Sequence, residues 1–372
     1  MRPVVINGKF LAQRVTGVQR VAHELVRALD QELGRRPAAE RPSVLLLHPD
    51  SGTAPALDHI SCRASPAPLG RLHLWEQWTL PRAAKGGLLL NLAGSAPALG
   101  RRQICMLHDA AVFDWPRAYT RAFVAWYRFL FRRLAGRARK ILTPSAFSQS
   151  RLQVHLPALR TRPGSDCQVL PLAAEHMDRI AADSAWLHET GLAQRPFLLA
   201  VASENPSKNL SGLLQAFAQW PGRSGHLLVL AGGSNPEVFR PDGPQVADEA
   251  NVRRLGPVSD AQLKALYGAA KAFVQPSWYE GFGLPPLEAM RCGCPVLSAN
   301  QASLPEVCGE AAAYFDPHRD PSDPQGFSAA LERLLADPAA ATKSRARAAQ
   351  FSWAASGRQL LDLLLSESQA GD

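Results

Sequence analysis

Residues 274–306 read VQPSWYEGFGLPPLEAMRCGCPVLSANQASLPE, and the rest of the chain is best read outward from them. Ala272–Gln275 is a short apolar run with strand character, stopped by Pro276-Ser277. The following loop carries Glu280, then Gly281 and Gly283, residue types that let a backbone come close to a ligand. Pro285-Pro286 suits the start of a helix, since proline is tolerated in the first turn. Leu287, Glu288, Ala289 and Met290 continue that helix, and Gly293 sits where a terminal glycine would stop it. Residues 295–299 read as the next strand. One carboxylate, Glu280, therefore lies in a strand-to-helix loop and a second, Glu288, early in the helix, with free N–H groups and the positive end of the helix dipole between them. Such a place suits an anion lying beside hydroxyl groups. Surface glutamates on an ordinary crossover would explain Glu280 alone. The joint placement of strand, glycines, prolines and glutamates favours a site.

The composition sets bounds. The 372 residues, 46% hydrophobic and 20% charged, suffice for two cored domains. No apolar run approaches the ~18 residues of a membrane span. The amino-terminal MRPVVINGKF enters a strand without a signal-peptide core, so a cytoplasmic location is expected. Cys62, Cys105, Cys167, Cys292, Cys294 and Cys308 are scattered without metal-site spacing and read as reduced, structural thiols. The net charge of +9 is uneven. Residues 1–175 hold 25 Lys and Arg against 11 Asp and Glu, whereas residues 176–372 hold 16 against 21. A basic front half points to an anionic partner, whether nucleic acid, phospholipid or a phosphorylated substrate.

Strands alternate with helical patterns throughout. Strands are expected near residues 4–7, 43–48, 88–92, 103–107, 141–144 and 168–172, and again near 197–202, 227–230, 252–255, 272–275, 295–299 and 311–315. Two parallel-sheet, Rossmann-like domains follow. In such sheets ligands bind beyond the carboxyl ends of the strands, which is where His108-Asp109 falls. The loop with Arg14, Thr16-Gly17 and Arg20 lacks G-x-G-x-x-G, so no dinucleotide fingerprint is present; Gly17 marks either a close approach to a ligand or a plain turn. Lys208 precedes a helix start and is a candidate phosphate ligand. Residues 116–140 read as one long helix with Arg117, Arg121, Arg128, Arg132 and Arg139 on one stripe and Phe123, Trp126, Tyr127, Leu130 and Leu134 opposite. The stripe is either solvated or meets anionic headgroups or a diphosphate. A helix is expected from Pro324, and residues 339–366 read as a helical tail.

Glu280-Gly-Phe-Gly-Leu-Pro-Pro-Leu-Glu288 resembles the E-x7-E motif of family 4 retaining glycosyltransferases, enzymes of the GT-B fold. Thr16-Gly17-Val-Gln-Arg20, Trp75-Glu-Gln77, Asn91 with Pro97, His108-Asp109, Ser145-Ala-Phe-Ser148, Lys208-Asn209, Gly232-Gly233, Pro276-Ser277, Pro305-Glu306-Val and Phe351-Ser-Trp353 fall in the same order, so the likeness spans nearly the whole chain. It is similar to the branch serving exopolysaccharide, O-antigen and lipopolysaccharide assembly. The resemblance implies two Rossmann-like domains facing each other across a cleft. Their expected bounds are 1–176 for the acceptor side, 177–196 for a linker, 197–353 for the nucleotide-sugar domain, and 354–372 for a helix crossing back. It implies Glu280 on the donor-sugar hydroxyls, Glu288 on the ribose, and Gly281, Phe282, Gly283 and Leu284 around sugar and phosphate. Lys208 and Gly17 would lie at the diphosphate and His108 at the reacting centre. The family usually has a basic residue just before that lysine or a few positions earlier. Here Ser207 precedes Lys208, with Ala202 and Ser203 upstream, which leaves part of the diphosphate charge to another group, Arg14 or Arg20.

The expected function is a retaining, metal-independent transferase moving a hexose, mannose favoured, from a GDP-, UDP- or dTDP-linked sugar. The acceptor is expected to be a growing, polyprenyl-diphosphate-linked saccharide. Arg117, Arg121, Arg128 and Arg132 would make acceptor or peripheral contact with the anionic inner face of the cytoplasmic membrane. No cofactor and no nucleic-acid partner are expected, and the absence of D-x-D argues against a bridging metal. An epimerase or phosphorylase on the same fold, and a non-enzymatic basic lipid- or nucleic-acid-binding protein, are the alternatives.

Overall fold

Parallel strands organise the chain twice. The computed structural model describes residues 2–162, 166–201, 205–233, 250–320, 323 and 326–369. Ala202, Ser203 and Pro324, which the sequence reading invoked, lie outside the described residues. Chain contacts divide the molecule into two units. The first comprises Met1–Ala110, Ala125–Leu172 and Ser352–Asp372; the second comprises Ala111–Val124 and Ala173–Phe351.

The first unit holds β1 (Val4–Asn7), β2 (Val44–Pro49), β3 (Ser61–Ser65), β4 (Leu88–Asn91), β5 (Gln103–Met106), β6 (Lys140–Thr143) and β7 (Cys167–Val169). They pair in parallel in the order β3-β2-β1-β4-β5-β6-β7. β1, β4 and β5 are buried throughout, as continuous apolar runs covered on both faces should be. β3, with sequence SCRAS, is exposed at the sheet edge. It has no apolar pattern, and it is absent from the strands expected from the sequence. The last helix, Trp353–Gln369, packs on Gly17–Gly34 and is tied to the sheet end: Ser356 Oγ donates to Pro171 O at 2.6 Å and Gln359 Nε2 to Val169 O at 2.7 Å.

The second unit holds β8 (Phe197–Val201), β9 (Leu227–Ala231), β10 (Val252–Gly256), β11 (Ala272–Gln275), β12 (Val296–Ala299) and β13 (Ala312–Phe315), parallel in the order β10-β9-β8-β11-β12-β13. Leu198, Phe217, Trp220, Val274, Leu297 and Leu331 centre its core. Residues 177–196, expected as a linker, belong to this unit. The segment is held there because Lys264 Nζ donates to Met177 O and Ile180 O, both at 2.7 Å, and Arg291 pairs with Asp178.

Three expected helices differ. Pro116–Ala118 is a 3₁₀ turn and Tyr119 is extended, so the long helix begins only at Arg121 and ends at Arg137. The helical phase restarts there, and Arg117 leaves the stripe. Arg139, past the helix end, lies 3.3 Å from Glu367 Oε2. Arg121 and Arg132 are exposed and Arg128 is half-buried. The buried face is Leu130, Phe131, Leu134 and Ala135, while Phe123, Trp126 and Tyr127 are only half-buried. The expected tail helix is two, Ala340–Ala348 and Trp353–Gln369. The helix expected from Pro324 is Phe327–Leu335.

A Cβ on Gly357 would come within 2.9 Å of the Ala28 backbone and side chain, so only glycine lets the two helices approach this closely. Gly357→Ala should therefore cost about 1–3 kcal/mol by overpacking. Thermal unfolding measures it, and an unchanged melting temperature would contradict the tight packing.

Candidate active site

β11 ends at Gln275 and delivers the loop that carries Glu280. Glu280 is 8% exposed. Its Oε1 accepts from Gln275 Nε2 at 2.6 Å and from Ser277 Oγ at 2.8 Å. Lys208 Nζ lies 2.8 Å from both carboxylate oxygens. A buried carboxylate needs such compensation, because an isolated buried charge is costly. Lys208 is set by local geometry. It ends the turn Pro206–Lys208, and Asn209 follows at φ 53°, ψ 43°, a left-handed conformation that asparagine tolerates. Asn209 Nδ2 donates to Pro276 O at 3.1 Å, and Trp278 N–H donates to Ser207 O at 2.8 Å. The two loops are thus stitched together at the β8/β11 end of the sheet. The lysine and the glutamate, expected to serve different parts of a ligand, are one bonded unit. The Lys208 side chain is 28% exposed and can be reached from solvent.

Gly283 starts the Leu284–Arg291 helix with φ 102°, and a Cβ there would lie 2.9 Å from Leu304 Cδ2. Leu284, not Pro285, is the first helical residue. The prolines hold the next two positions and supply no N–H, so the anion-binding potential of this helix end rests on the 281–284 turn. Ser303 Oγ lies 2.9 Å from Glu280 O and 2.8 Å from Phe282 O and steadies that turn. The Phe282 ring packs edge-on against Phe351 at 5.8 Å, so its side chain anchors the loop and its backbone is what a ligand could meet.

Glu288 is also 8% exposed and has a protein partner on each oxygen. His176 Nε2 lies 2.9 Å from Oε1, and Tyr267 O–H donates to Oε2 at 3.1 Å. Burial first, then the Glu288 carboxylate, hold the Tyr267 phenol well above its usual pKa, so it stays a donor. Each carboxylate oxygen can still accept a second donor. Neither His176 nor Tyr267 was singled out from the sequence. His176 had been read as the end of the first domain.

In the first unit, β5 leads to His108. Its Nε2 lies 2.9 Å from Leu92 O, and a carbonyl only accepts, so Nε2 carries the proton. Burial pushes the imidazole pKa down to about 4, which leaves the ring neutral with Nδ1 as an acceptor. Ser148 Oγ donates to His108 O at 3.2 Å, and Ser145 caps the Ala146–His155 helix through Ser148 N–H at 3.0 Å. Gly17 is the first residue of its helix, and a Cβ there would meet nothing within 4 Å, so the local fold does not require glycine. Gly94 is the constrained one. Its φ is 74°, and a Cβ would lie 3.6 Å from His108 Cδ2. The sequence reading passed over it, although the run Ala93-Gly94-Ser95 directly after a strand was a usable signal.

Beside this loop lies a buried polar cluster of Asn7, Lys9, Glu76, Asn91 and Ser95, to which the sequence reading gave no role. Lys9 Nζ pairs with Glu76 Oε2 at 2.9 Å. Asn7 Nδ2 donates to Glu76 Oε1 and Asn91 Oδ1, both at 3.0 Å. The signals available were a lysine beside Phe10 and Leu11, and the Trp75-Glu-Gln77 string already quoted for the resemblance.

A half-buried histidine held neutral makes stability depend on pH. The folded state holds fewer protons than the unfolded one between the unfolded value of 6.5 and about 4. Its contribution is therefore complete above 6.5 and is lost as pH falls through that window, by at most about 3 kcal/mol. His108→Gln should flatten the pH dependence of the urea midpoint between pH 7 and 4. Parallel curves for the two proteins would contradict a neutral His108.

Residues 186–352 match the family described as Glycosyl transferases group 1. The chain is 35% identical over 263 residues to the O-antigen chain mannosyltransferase B of Escherichia coli, across 68% of this chain and 67% of that one. Sucrose-phosphate synthase from Thermosynechococcus elongatus shares the fold at a TM-score of 0.69 and 21% identity, over 98% of each chain. Anabaena HepE, solved with UDP and glucose, does so at a TM-score of 0.66 and 16% identity, over 98% of this chain and all of that one. The two parallel sheets are those of the GT-B fold. The family match covers the loops of Lys208, Glu280 and Glu288, and the long alignment extends it: the chain belongs to the group 1 glycosyltransferases.

Proposed function

We propose that this glycosyltransferase moves mannose from a nucleotide diphosphate sugar to a growing, lipid-linked cell-surface saccharide, with retention at the anomeric carbon. The observation that carries the reading is the Lys208–Glu280 unit at the carboxyl end of β11, beside the glycine turn of the Leu284–Arg291 helix. An ammonium for a leaving diphosphate and a carboxylate for sugar hydroxyls sit side by side. Departure of a nucleoside diphosphate needs stabilisation of negative charge, and Lys208 with the 281–284 turn supplies it electrostatically. Glu280 accepts hydroxyl donors of the sugar, and Glu288 adds the ribose hydroxyls to its two present partners. His108 offers Nδ1 to a hydroxyl at the reacting sugar. The leaving phosphate oxygen takes the acceptor's proton on the face from which it departs, so no enzymic base is assigned. Mannose is favoured by the Escherichia coli relative, and a nucleotide diphosphate donor is supported by the UDP complex of HepE. GDP, UDP and dTDP sugars are the donors to compare.

No helix among the described residues is long and apolar enough to cross a membrane. Contact with a lipid-linked acceptor is assigned to Arg121, Arg128 and Arg132 on one helix, in a basic half of the chain. Arg117 sits on its own turn and is left out.

A thermal-shift screen of GDP-, UDP-, dTDP- and ADP-sugars should give one clear stabiliser, GDP-mannose first. No shift with any of them overturns the donor assignment. Lys208→Met and Glu280→Gln should each lower kcat for mannosyl transfer by about 10²–10³-fold, the scale of losing one electrostatic contact to developing charge. Wild-type turnover in a folded variant contradicts that residue's role. Replacing Arg121, Arg128 and Arg132 with Glu should release the protein from vesicles containing anionic phospholipid, and added salt should weaken wild-type binding. Unchanged vesicle binding by the triple variant removes the stripe from the membrane contact.

A further inference from the structure

Lys9 and Glu76 are 3% and 1% exposed, too deep to meet a substrate. A buried ion pair of this kind gives little net stability, because desolvation offsets the attraction. Its geometry suggests what it does instead. Lys9 Nζ reaches Ser95 Oγ at 3.1 Å, and Ser95 Oγ donates to Glu76 Oε1 at 2.7 Å. The next residue, Gln77, uses both ends of its amide on the same loop. Its Nε2 donates to Ala96 O at 3.0 Å, and its Oε1 accepts from Ala98 N–H at 2.8 Å. The other end of this loop faces His108. Leu92 O accepts the Nε2–H at 2.9 Å, and Gly94, at φ 74°, turns the loop beside the ring. Residues 92–98 are therefore gripped on one side by Lys9, Glu76 and Gln77 and hold the imidazole on the other.

We propose that Lys9, Glu76 and Gln77 are positioning residues for the transfer reaction. Their grip on residues 92–98 fixes the Leu92 carbonyl, and this sets the tautomer and orientation in which His108 presents Nδ1. Tight placement matters because a misplacement of about 1 Å at a reacting group can cost roughly a hundredfold in rate. The pair also explains why charge is kept at a buried place where neutral residues would pack: Lys9 donates to the Ser95 hydroxyl, and Glu76 accepts from that hydroxyl and from the strand-end Asn7. The proposal rests on His108 acting in the reaction as read above.

The test uses Gln77→Ala, at a half-buried position that should tolerate it, and the double variant Lys9→Met/Glu76→Gln, which removes both charges without leaving one unpaired. With ¹⁵N-labelled histidine, the His108 ring signals are assigned by their loss in His108→Gln. In the wild-type protein they should report a single Nε2–H tautomer from pH 6 to 8. In both variants they should shift toward a mixture of tautomers, while kcat falls about tenfold or more and the donor KM stays within about twofold. Glu76→Asp, which keeps the charge, should recover part of the loss. Unchanged ring signals in a folded variant overturn the proposal, as does a loss confined to KM. If His108→Gln keeps wild-type kcat, the role read for His108 fails, and the catalytic half of the proposal with it. The ring signals then still decide whether the loop sets the tautomer.

Discussion

A parallel sheet whose strand order reverses leaves one place uncovered. Crossovers on either side of the reversal depart to opposite faces, and the loops there diverge. In the first unit this place lies between β1 and β4, and in the second between β8 and β11. Lys208 and Glu280 lie on loops around the second reversal, and the Lys9–Glu76 network and the loop that holds His108 lie around the first. Asn7 and Asn91 end β1 and β4 and bond to each other across it. Asn209 and Pro276 do the same for the loops after β8 and β11. The polar residues are there because diverging loops leave backbone groups without ladder partners, and side chains must satisfy them.

Each unit hides a lysine–glutamate pair near its reversal, and burial separates their uses. Lys9 and Glu76 are sealed, and they join Asn7 and Ser95 in one network. A sealed pair can set geometry but cannot bind. Lys208 is 28% exposed at the side chain, so its bonds to Glu280 can be exchanged for others. Similar chemistry thus yields a fixed brace in one sheet and an exchangeable contact in the other. The difference is solvent access, which a sequence does not display.

That contrast explains what could be read from the residues alone. Continuous apolar runs such as LLLN and FLLAV gave the central strands, since a strand covered on both faces needs no alternation. The E-x7-E string and its glycine turn pointed to the Glu280 loop because glycine, proline and glutamate positions there are dictated locally; Gly283 needs its positive φ. The edge strand Ser61–Ser65 was invisible, since an exposed edge carries no hydrophobic signature. The break at Tyr119 was lost because the arginine periodicity continued past it, and Pro116, at the first position of its turn, marks a start and not the extended residue that follows. Lys9, His176 and Tyr267 escaped, and Glu76 was noted only within Trp75-Glu-Gln77, for another reason. Their partners lie 67 and 69 residues away for Glu76, and 112 and 21 for Glu288, and no local pattern encodes such pairings.

The electrostatics around Lys208 follow from two local facts. Ser207, not a basic residue, precedes Lys208, and prolines occupy two positions of the first helical turn. Both reduce the positive potential available to a diphosphate. Lys208 must then carry much of the load, yet its charge is shared with Glu280. On the reading proposed here the two facts fit together. A nucleotide sugar brings hydroxyl donors for Glu280 and an anion for Lys208, so the ion pair exchanges for two complementary contacts without leaving either charge bare. A ligand with a diphosphate but no sugar would draw on Lys208 alone and leave Glu280 with only Gln275 and Ser277. On that proposal the pair would favour the intact donor over its free nucleotide, a bias that comes from the cost of an uncompensated buried carboxylate.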